Sequence, residues 1–220
     1  MKAKKVNGLY AVTPDLADTG QLHALVEASL QGGAAVVQYR NKLADAALRL
    51  EQAQALLPLC RQYAVPFIIN DHLDLCLTLD ADGVHLGGDD GNLAQARTLL
   101  GPAKMLGASC YNRFELAQQA QAQGADYIAF GACFDSATKP AAVRAPLELL
   151  SRAHAELGLP VVAIGGITHD NAKLAIEAGA DAIAVIGALY SASDVKLAAQ
   201  QFSNLFNHNL HHDLTQSAAV

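Results

Sequence analysis

Apolar residues fall along this chain in short runs, and four of the runs share one punctuation: a helical stretch ends at glycine and a strand-like run begins two or three residues later. The copies are Gln-Gly-Gly-Ala-Ala-Val-Val (31–37), Asp-Ala-Asp-Gly-Val-His-Leu (80–86), Gly-Ala-Asp-Tyr-Ile-Ala-Phe (124–130) and Gly-Ala-Asp-Ala-Ile-Ala-Val (179–185). Glycine just past a helix accepts the left-handed conformation that ends it, so each copy predicts an αβ junction. With that key, strands are predicted over 8–13, 35–40, 66–70, 83–86, 104–109, 126–130, 160–164 and 181–186. Helices are expected between them, for example over 21–31, 44–63, 113–123 and 170–178, with a last one over 193–206. Eight strand–helix units in one chain predict a single (β/α)8 TIM barrel, spanning residues 1–206. Residues 207–220 are polar, carry His208, His211 and His212, and are expected to be a disordered tail rather than a metal site.

A doubly wound open sheet has the same alternation. It finds no support, because no GxGxxG follows the first strand and the glycines of interest come after the seventh and eighth, where barrels build phosphate sites.

Composition agrees with one buried parallel sheet. The chain has 220 residues, 52% of them hydrophobic and only 16% charged, enough for one sizeable core and short for two ordinary domains. A net charge of -6 argues against a nucleic-acid partner, which would need surplus Lys and Arg. The basic start, Met1 to Lys5, is followed by too short an uncharged stretch for a secretory signal, and no segment is long enough to span a bilayer. A soluble cytoplasmic protein is expected. Cys60, Cys76, Cys110 and Cys133 lack CxxC spacing and read as reduced, packed thiols, Cys133 included.

In a barrel the chemistry sits at the carboxyl ends of the strands. On the second strand Gln38, Arg40 and Lys42 alternate and so share one face, while Val37 and Tyr39 point to the helices. An amide and two cations there suit a diphosphate clamp, Arg as a planar fork and Lys as a point charge; ordinary surface charge is the bland alternative. The third strand ends at Asn70-Asp71, and Asp89-Asp90 follow the fourth. Two acids from adjacent loops suit Mg²⁺, although helix capping by Asp71 and Asp90 competes with that reading. The connection 131–145 exceeds the ~2–6 residues usual for a βα loop and offers Ser136, Thr138 and Lys139 to a ligand. Gly165-Gly166 and Ile186-Gly187 bring backbone N–H groups to a monophosphate pocket, or simply serve tight turns.

With these residues assembled, the sequence resembles the thiamine phosphate synthase family across almost its whole length. The motifs that carry the resemblance are Gln38-Tyr39-Arg40-Asn41-Lys42, Ile69-Asn70-Asp71, Gly83-Val84-His85-Leu86-Gly87, Thr138-Lys139 and Ala163-Ile164-Gly165-Gly166-Ile167. The resemblance implies that Gln38, Arg40, Lys42, Asn70, Ser109 and Lys139 bind a hydroxymethylpyrimidine diphosphate, with Asp71 and Asp90 on Mg²⁺. It places a thiazole phosphate against Ser136, Thr138, Gly166, Ile186 and Gly187, and counts Tyr39, Asn41 and Ala137 among the contact positions. Arg40, Lys42 and Lys139 are then the catalytic cations: loss of diphosphate leaves a pyrimidinylmethyl cation that the thiazole nitrogen captures, a step that needs charge neutralisation and no strong protein base. Ser136 stands where the family usually has Thr, Ala132 where Pro is common, and Gly187 where Ser is usual. Three other readings remain: a thiazole tautomerase-like paralogue, a non-catalytic regulator that binds a phosphate ligand, and a sugar-phosphate isomerase. The expected partners are the two small substrates, with no nucleic acid or membrane, and homo-oligomerisation is left open.

Overall fold

Eight short strands lie where the apolar runs put them: β1 (Gly8–Val12), β2 (Val36–Tyr39), β3 (Phe67–Asn70), β4 (Gly83–Leu86), β5 (Met105–Tyr111), β6 (Tyr127–Phe130), β7 (Val161–Ile164) and β8 (Ala182–Val185). The computed structural model describes residues 6–87, 92–135 and 143–216, with side chains as far as Phe206. The strands pair in chain order into a closed parallel barrel, and Gly8 on β1 sits opposite Ala182 on β8 to complete the ring. Around it run α1 (Thr19–Gln31), α2 (Ala46–Gln62), α3 (Leu73–Leu79), α4 (Leu93–Leu100), α5 (Phe114–Ala122), α6 (Glu148–Leu157), α7 (His169–Glu177), α8 (Gly187–Tyr190) and α9 (Val195–Gln216). The last helix continues past 206, where the pattern put its end, because neither Gly nor Pro interrupts it before Gln216.

Alternation along the strands sorts the core. Tyr10, Val36, Ile68, Met105, Tyr127 and Val162 fill the barrel interior, whereas Val37, Tyr39, Phe67 and Ile69 face outward onto Leu22, Val26 and Leu56 of α1 and α2. A second outer cluster joins β5 to β8 with α5 to α9 through residues such as Phe114, Leu150, Ile183 and Phe202.

The four repeated junctions close alike. Ala34, Ala81, Ala125 and Ala180 donate their N–H groups to Ser29, Cys76, Ala120 and Ala175, while the residue before each donates to Leu30, Leu77, Gln121 and Ile176, the double bond of a Schellman end. The left-handed residue is Gly33, Gly124 or Gly179 in three copies, but Asp80 (φ 53°) in the fourth. Gly83 therefore does not end that helix. It opens β4, where a Cβ would collide with the Met105 carbonyl. Three copies also carry an acid one residue after the buried Ala. Asp82 accepts the Phe67 N–H at 2.9 Å, Asp126 the Leu106 N–H at 2.7 Å and Asp181 the Val161 N–H at 2.8 Å. Each acid thus ties the start of its own strand to the start of the one before.

Candidate active site

Where β1 and β2 end, the Thr13 hydroxyl both donates to the Arg40 carbonyl and accepts from the Arg40 N–H, each at 2.8 Å. Thr13 is fully buried, so the backbone beneath Arg40 is fixed. Asp15, just beyond, accepts from Arg40 Nη1 at 3.2 Å with both carboxylate oxygens and from the Lys42 N–H at 2.7 Å. An acid just beyond β1 thus holds the Arg40 guanidinium and the backbone of Lys42. Arg40, Lys42, Asn70 and Asp71 border one cavity of about 200 Å³, together with Arg49 and His72.

Tyr39 and Asn41 also edge this cavity, but their side chains serve the scaffold. The Tyr39 hydroxyl donates to Gln52 Oε1 (2.8 Å), and Asn41 Nδ2 donates to the Leu16 carbonyl (2.7 Å) and to the same Gln52 oxygen (3.0 Å). Burial pushes the Tyr39 phenol up to about 12, against the pull of Arg49. Asp71 adopts a left-handed φ of 64°, and its N–H donates to the His85 carbonyl. The N-cap position of α3 is His72 rather than Asp71, and Asn92 caps α4 by accepting from the Gln95 N–H. Asp90, Ser136, Ala137, Thr138 and Lys139 lie outside the described residues.

Gln38 points into the barrel, 5% exposed, and its Nε2 donates to the Tyr10 hydroxyl at 2.9 Å. From there the contacts run Tyr10 to Tyr127 at 2.7 Å, Tyr127 to His85 Nδ1 at 3.1 Å and His85 Nε2 to Ser109 Oγ at 2.9 Å. Burial drives both phenols far above their ordinary range. Ser109 stands where the β5–β6 register shifts, between Ser109 and Tyr111.

Across the mouth, Gly165 (φ 95°) and Gly166 (φ 67°) follow β7. A Cβ on Gly165 would strike Ala132, and one on Gly166 the carbonyls of Phe134 and Asp135, so close packing of the β6 connection requires both glycines. Gly187 differs: it opens α8 after Ile186, is exposed, and a Cβ there would meet nothing within 4 Å among the described residues.

Residues 9–189 match the family model described as thiamine monophosphate synthase. The chain belongs to that family. A thiamine-phosphate synthase from Methylobacillus flagellatus is 58% identical, the alignment covering 92% of this chain and 96% of the relative. Another, from Aromatoleum aromaticum, is 53% identical over 94% and 100%. Among solved structures, thiamine phosphate pyrophosphorylase from Pyrococcus furiosus superposes with a TM-score of 0.82 at 34% identity, covering 94% of this chain and 98% of the other.

In this member of the thiamine monophosphate synthase family, sequence reasoning missed Asp15 and Arg49. The signal for Asp15 was an acid at the carboxyl end of the first strand, in Thr13-Pro14-Asp15. Arg49 comes from α2: its Nη2 donates to the Ala44 carbonyl at 2.8 Å, its Nη1 lies 3.5 Å from His72 Nδ1, and its buried Nε has no hydrogen-bond partner among the described residues. The four cysteines are buried, as expected. Burial pushes the thiol of Cys133, beside the long connection, up to about 11, which leaves a poor nucleophile.

Proposed function

We propose that this chain is a thiamine phosphate synthase. It joins 4-amino-2-methyl-5-(diphosphooxymethyl)pyrimidine to 4-methyl-5-(2-phosphooxyethyl)thiazole, giving thiamine phosphate and pyrophosphate. The observation that carries the reading is the shared cavity in which Arg40 and Lys42, at the end of β2, meet Asn70 and Asp71, at the end of β3. Cations oriented before the ligand arrives stabilise the negative charge that grows on a departing diphosphate without reorganising during the step. Asp15 supports that orientation for Arg40, and we assign Lys139 to the same task from the side of the long connection. Gln38 and Ser109 hold the pyrimidine end. We assign Ser136, Ala137, Thr138, Gly166, Ile186 and Gly187 to the thiazole phosphate.

The donors fit Mg²⁺. Asp71 is a hard oxygen ligand at the rim of the cationic cavity, and among the described residues no three His, Cys, Asp or Glu groups gather into a cage. Such a donor set suits an ion held by one or two carboxylates plus phosphate oxygens and waters. Asp71 and Asp90 would hold it, and the ion would add positive charge beside the leaving diphosphate. Among the described residues no helix is long and apolar enough to cross a membrane.

The test is to incubate the purified protein with both substrates and Mg²⁺ and to follow thiamine phosphate and pyrophosphate together. Equal, protein-dependent formation of the two is expected. Binding of either phosphate without turnover would favour the regulator, and isomerisation of the thiazole alone the tautomerase.

A further inference from the structure

The polar line through the barrel joins residues from five strands: Gln38 on β2, Tyr10 on β1, Tyr127 on β6, His85 on β4 and Ser109 on β5. Each contact carries one proton, and the protons can be counted from one end. Gln38 Nε2 donates to Tyr10, so the Tyr10 hydroxyl has its own proton left for Tyr127. Tyr127, having accepted, donates to His85 Nδ1. A neutral imidazole whose Nδ1 accepts carries its proton on Nε2, and that nitrogen faces Ser109 Oγ at 2.9 Å. Ser109 therefore accepts from His85 and keeps its own hydroxyl proton for whatever enters the mouth. Both phenols remain protonated at any physiological pH, because burial raises them well above their ordinary range.

Gly107 gives a second, independent reason to regard the line as built. A Cβ on Gly107 would overlap the Tyr127 hydroxyl and lie 2.5 Å from His85 Nδ1, so only glycine leaves room for that contact. The backbone here is shaped around a hydrogen bond between two side chains from other strands.

We propose that Gln38, Tyr10, Tyr127 and His85 form a directed hydrogen-bond relay that fixes His85 as its Nε2–H tautomer and so presents Ser109 to the substrate as a hydrogen-bond donor. Tyr10, Tyr127 and His85 are positioning residues, acting through Ser109. That Ser109 meets the pyrimidine diphosphate rests on the function proposed above; the direction of the relay does not. Reversing the Gln38 amide would reverse every link and make Ser109 an acceptor, so the direction sets which ligand atoms the site accepts.

The experiment has two arms. In the first, nitrogen-15 NMR of the ligand-free full chain reads the His85 tautomer, its signals assigned by their loss in His85→Gln. Protonated Nε2 and bare Nδ1 are expected in the wild type, and a mixture of tautomers in Tyr127→Phe. Gly107→Ala should perturb the same signals, since it crowds the Tyr127 contact. In the second arm, calorimetry measures binding of each substrate to the wild type, Tyr127→Phe and Tyr10→Phe. Binding of the pyrimidine diphosphate should weaken in Tyr127→Phe by roughly tenfold, the worth of one hydrogen bond, and less in Tyr10→Phe, with thiazole phosphate unchanged. A protonated Nδ1 in the wild type overturns the proposal, since the relay then runs the other way. Equal weakening for both substrates also overturns it, since that is the mark of general loosening. Should Tyr127→Phe fail to fold, the wild-type tautomer and Tyr10→Phe still decide. If the wild type does not bind the pyrimidine diphosphate at all, the functional reading fails while the tautomer still judges the relay.

Discussion

Raising the pH should unfold this protein well before any backbone chemistry intervenes, because its four thiols are buried where a thiolate is not tolerated. Burial lifts Cys60 and Cys110 to about 12 and Cys76 and Cys133 to about 11, from an ordinary 9.0. A pKa raised on folding means that the folded state holds its proton longer. The stabilisation is complete below 9.0 and is lost as pH climbs toward the folded value. At pH 10 an unfolded thiol is about nine-tenths thiolate while a folded one is about one-tenth or less, so each thiol removes about 1.4 kcal/mol of stability. Four independent thiols remove about 5 kcal/mol, comparable with the whole stability of a marginal domain at ~5–15 kcal/mol. Tyr39, lifted to about 12 from 10.0, adds to the loss above pH 10. Urea unfolding followed by far-UV circular dichroism in a reducing buffer, at pH 8 and pH 10, measures the difference. Cys60→Ala should shrink the pH-dependent loss by about 1.4 kcal/mol, whatever the substitution does to stability at pH 8. A wild-type loss under about 1 kcal/mol would refute the reasoning, since it would mean that the thiols titrate alike folded and unfolded.

Three further outcomes are expected. Gly187→Ser has open space for its side chain and should lower KM for thiazole phosphate several-fold at most, the scale of one added hydrogen bond shared with water; a selective change in the pyrimidine KM would show that the two ends of the mouth are assigned backwards. Asp71→Asn keeps a residue that tolerates φ 64°, so the melting temperature should hold while half-saturation by Mg²⁺ rises roughly tenfold or more; overlapping Mg²⁺ titrations would remove Asp71 from the metal site. Arg49→Met deletes a buried Nε without a hydrogen-bond partner among the described residues, together with the bond to the Ala44 carbonyl, so stability should fall by about 1 kcal/mol while KM for the pyrimidine diphosphate rises roughly tenfold; an unchanged KM would leave Arg49 a scaffold residue.

The strands were legible because a buried parallel strand and a Schellman helix end are both local signals, repeated until they could be counted. The cations and amides at the ends of β2 and β3 were legible for a related reason: barrel geometry says where a strand's carboxyl end must face. What escaped was whatever depends on a partner far away in sequence. Asp15 matters through Arg40, on the next strand end, and Arg49 through the turn of α2 that brings it back over the mouth. Tyr10 and Tyr127 meet across 117 residues. His85 stood in a recognised motif without a role, since nothing local reveals what its two nitrogens touch. A general cue did exist: Tyr10, His85, Ser109 and Tyr127 are polar side chains at inward positions of otherwise apolar strands, and buried polar groups in such places are there to bond one another. The glycines after β7 show the opposite difficulty: packing against the β6 connection requires them whether or not their N–H groups also meet a phosphate, so no local signal separates the two roles.

The acids beneath the barrel bear on how the chain assembles. Asp82, Asp126 and Asp181 tie β3 to β4, β5 to β6 and β7 to β8 across only 15, 20 and 20 residues, short spans whose loop-closure cost is small. Ala35 holds the equivalent place before β2, so the first pair has no such tie. β1 and β2 leave the ribosome first, yet β1 cannot complete its ladder until β8 has been made. Three quarters of the ring can therefore form as locally stapled pairs, while the quarter that carries Tyr10, Gln38 and Arg40 waits for the closing seam. Native-state hydrogen exchange should find β1 opening at lower free energy than β4 or β6, which makes the strands nearest the chemistry the last to be secured.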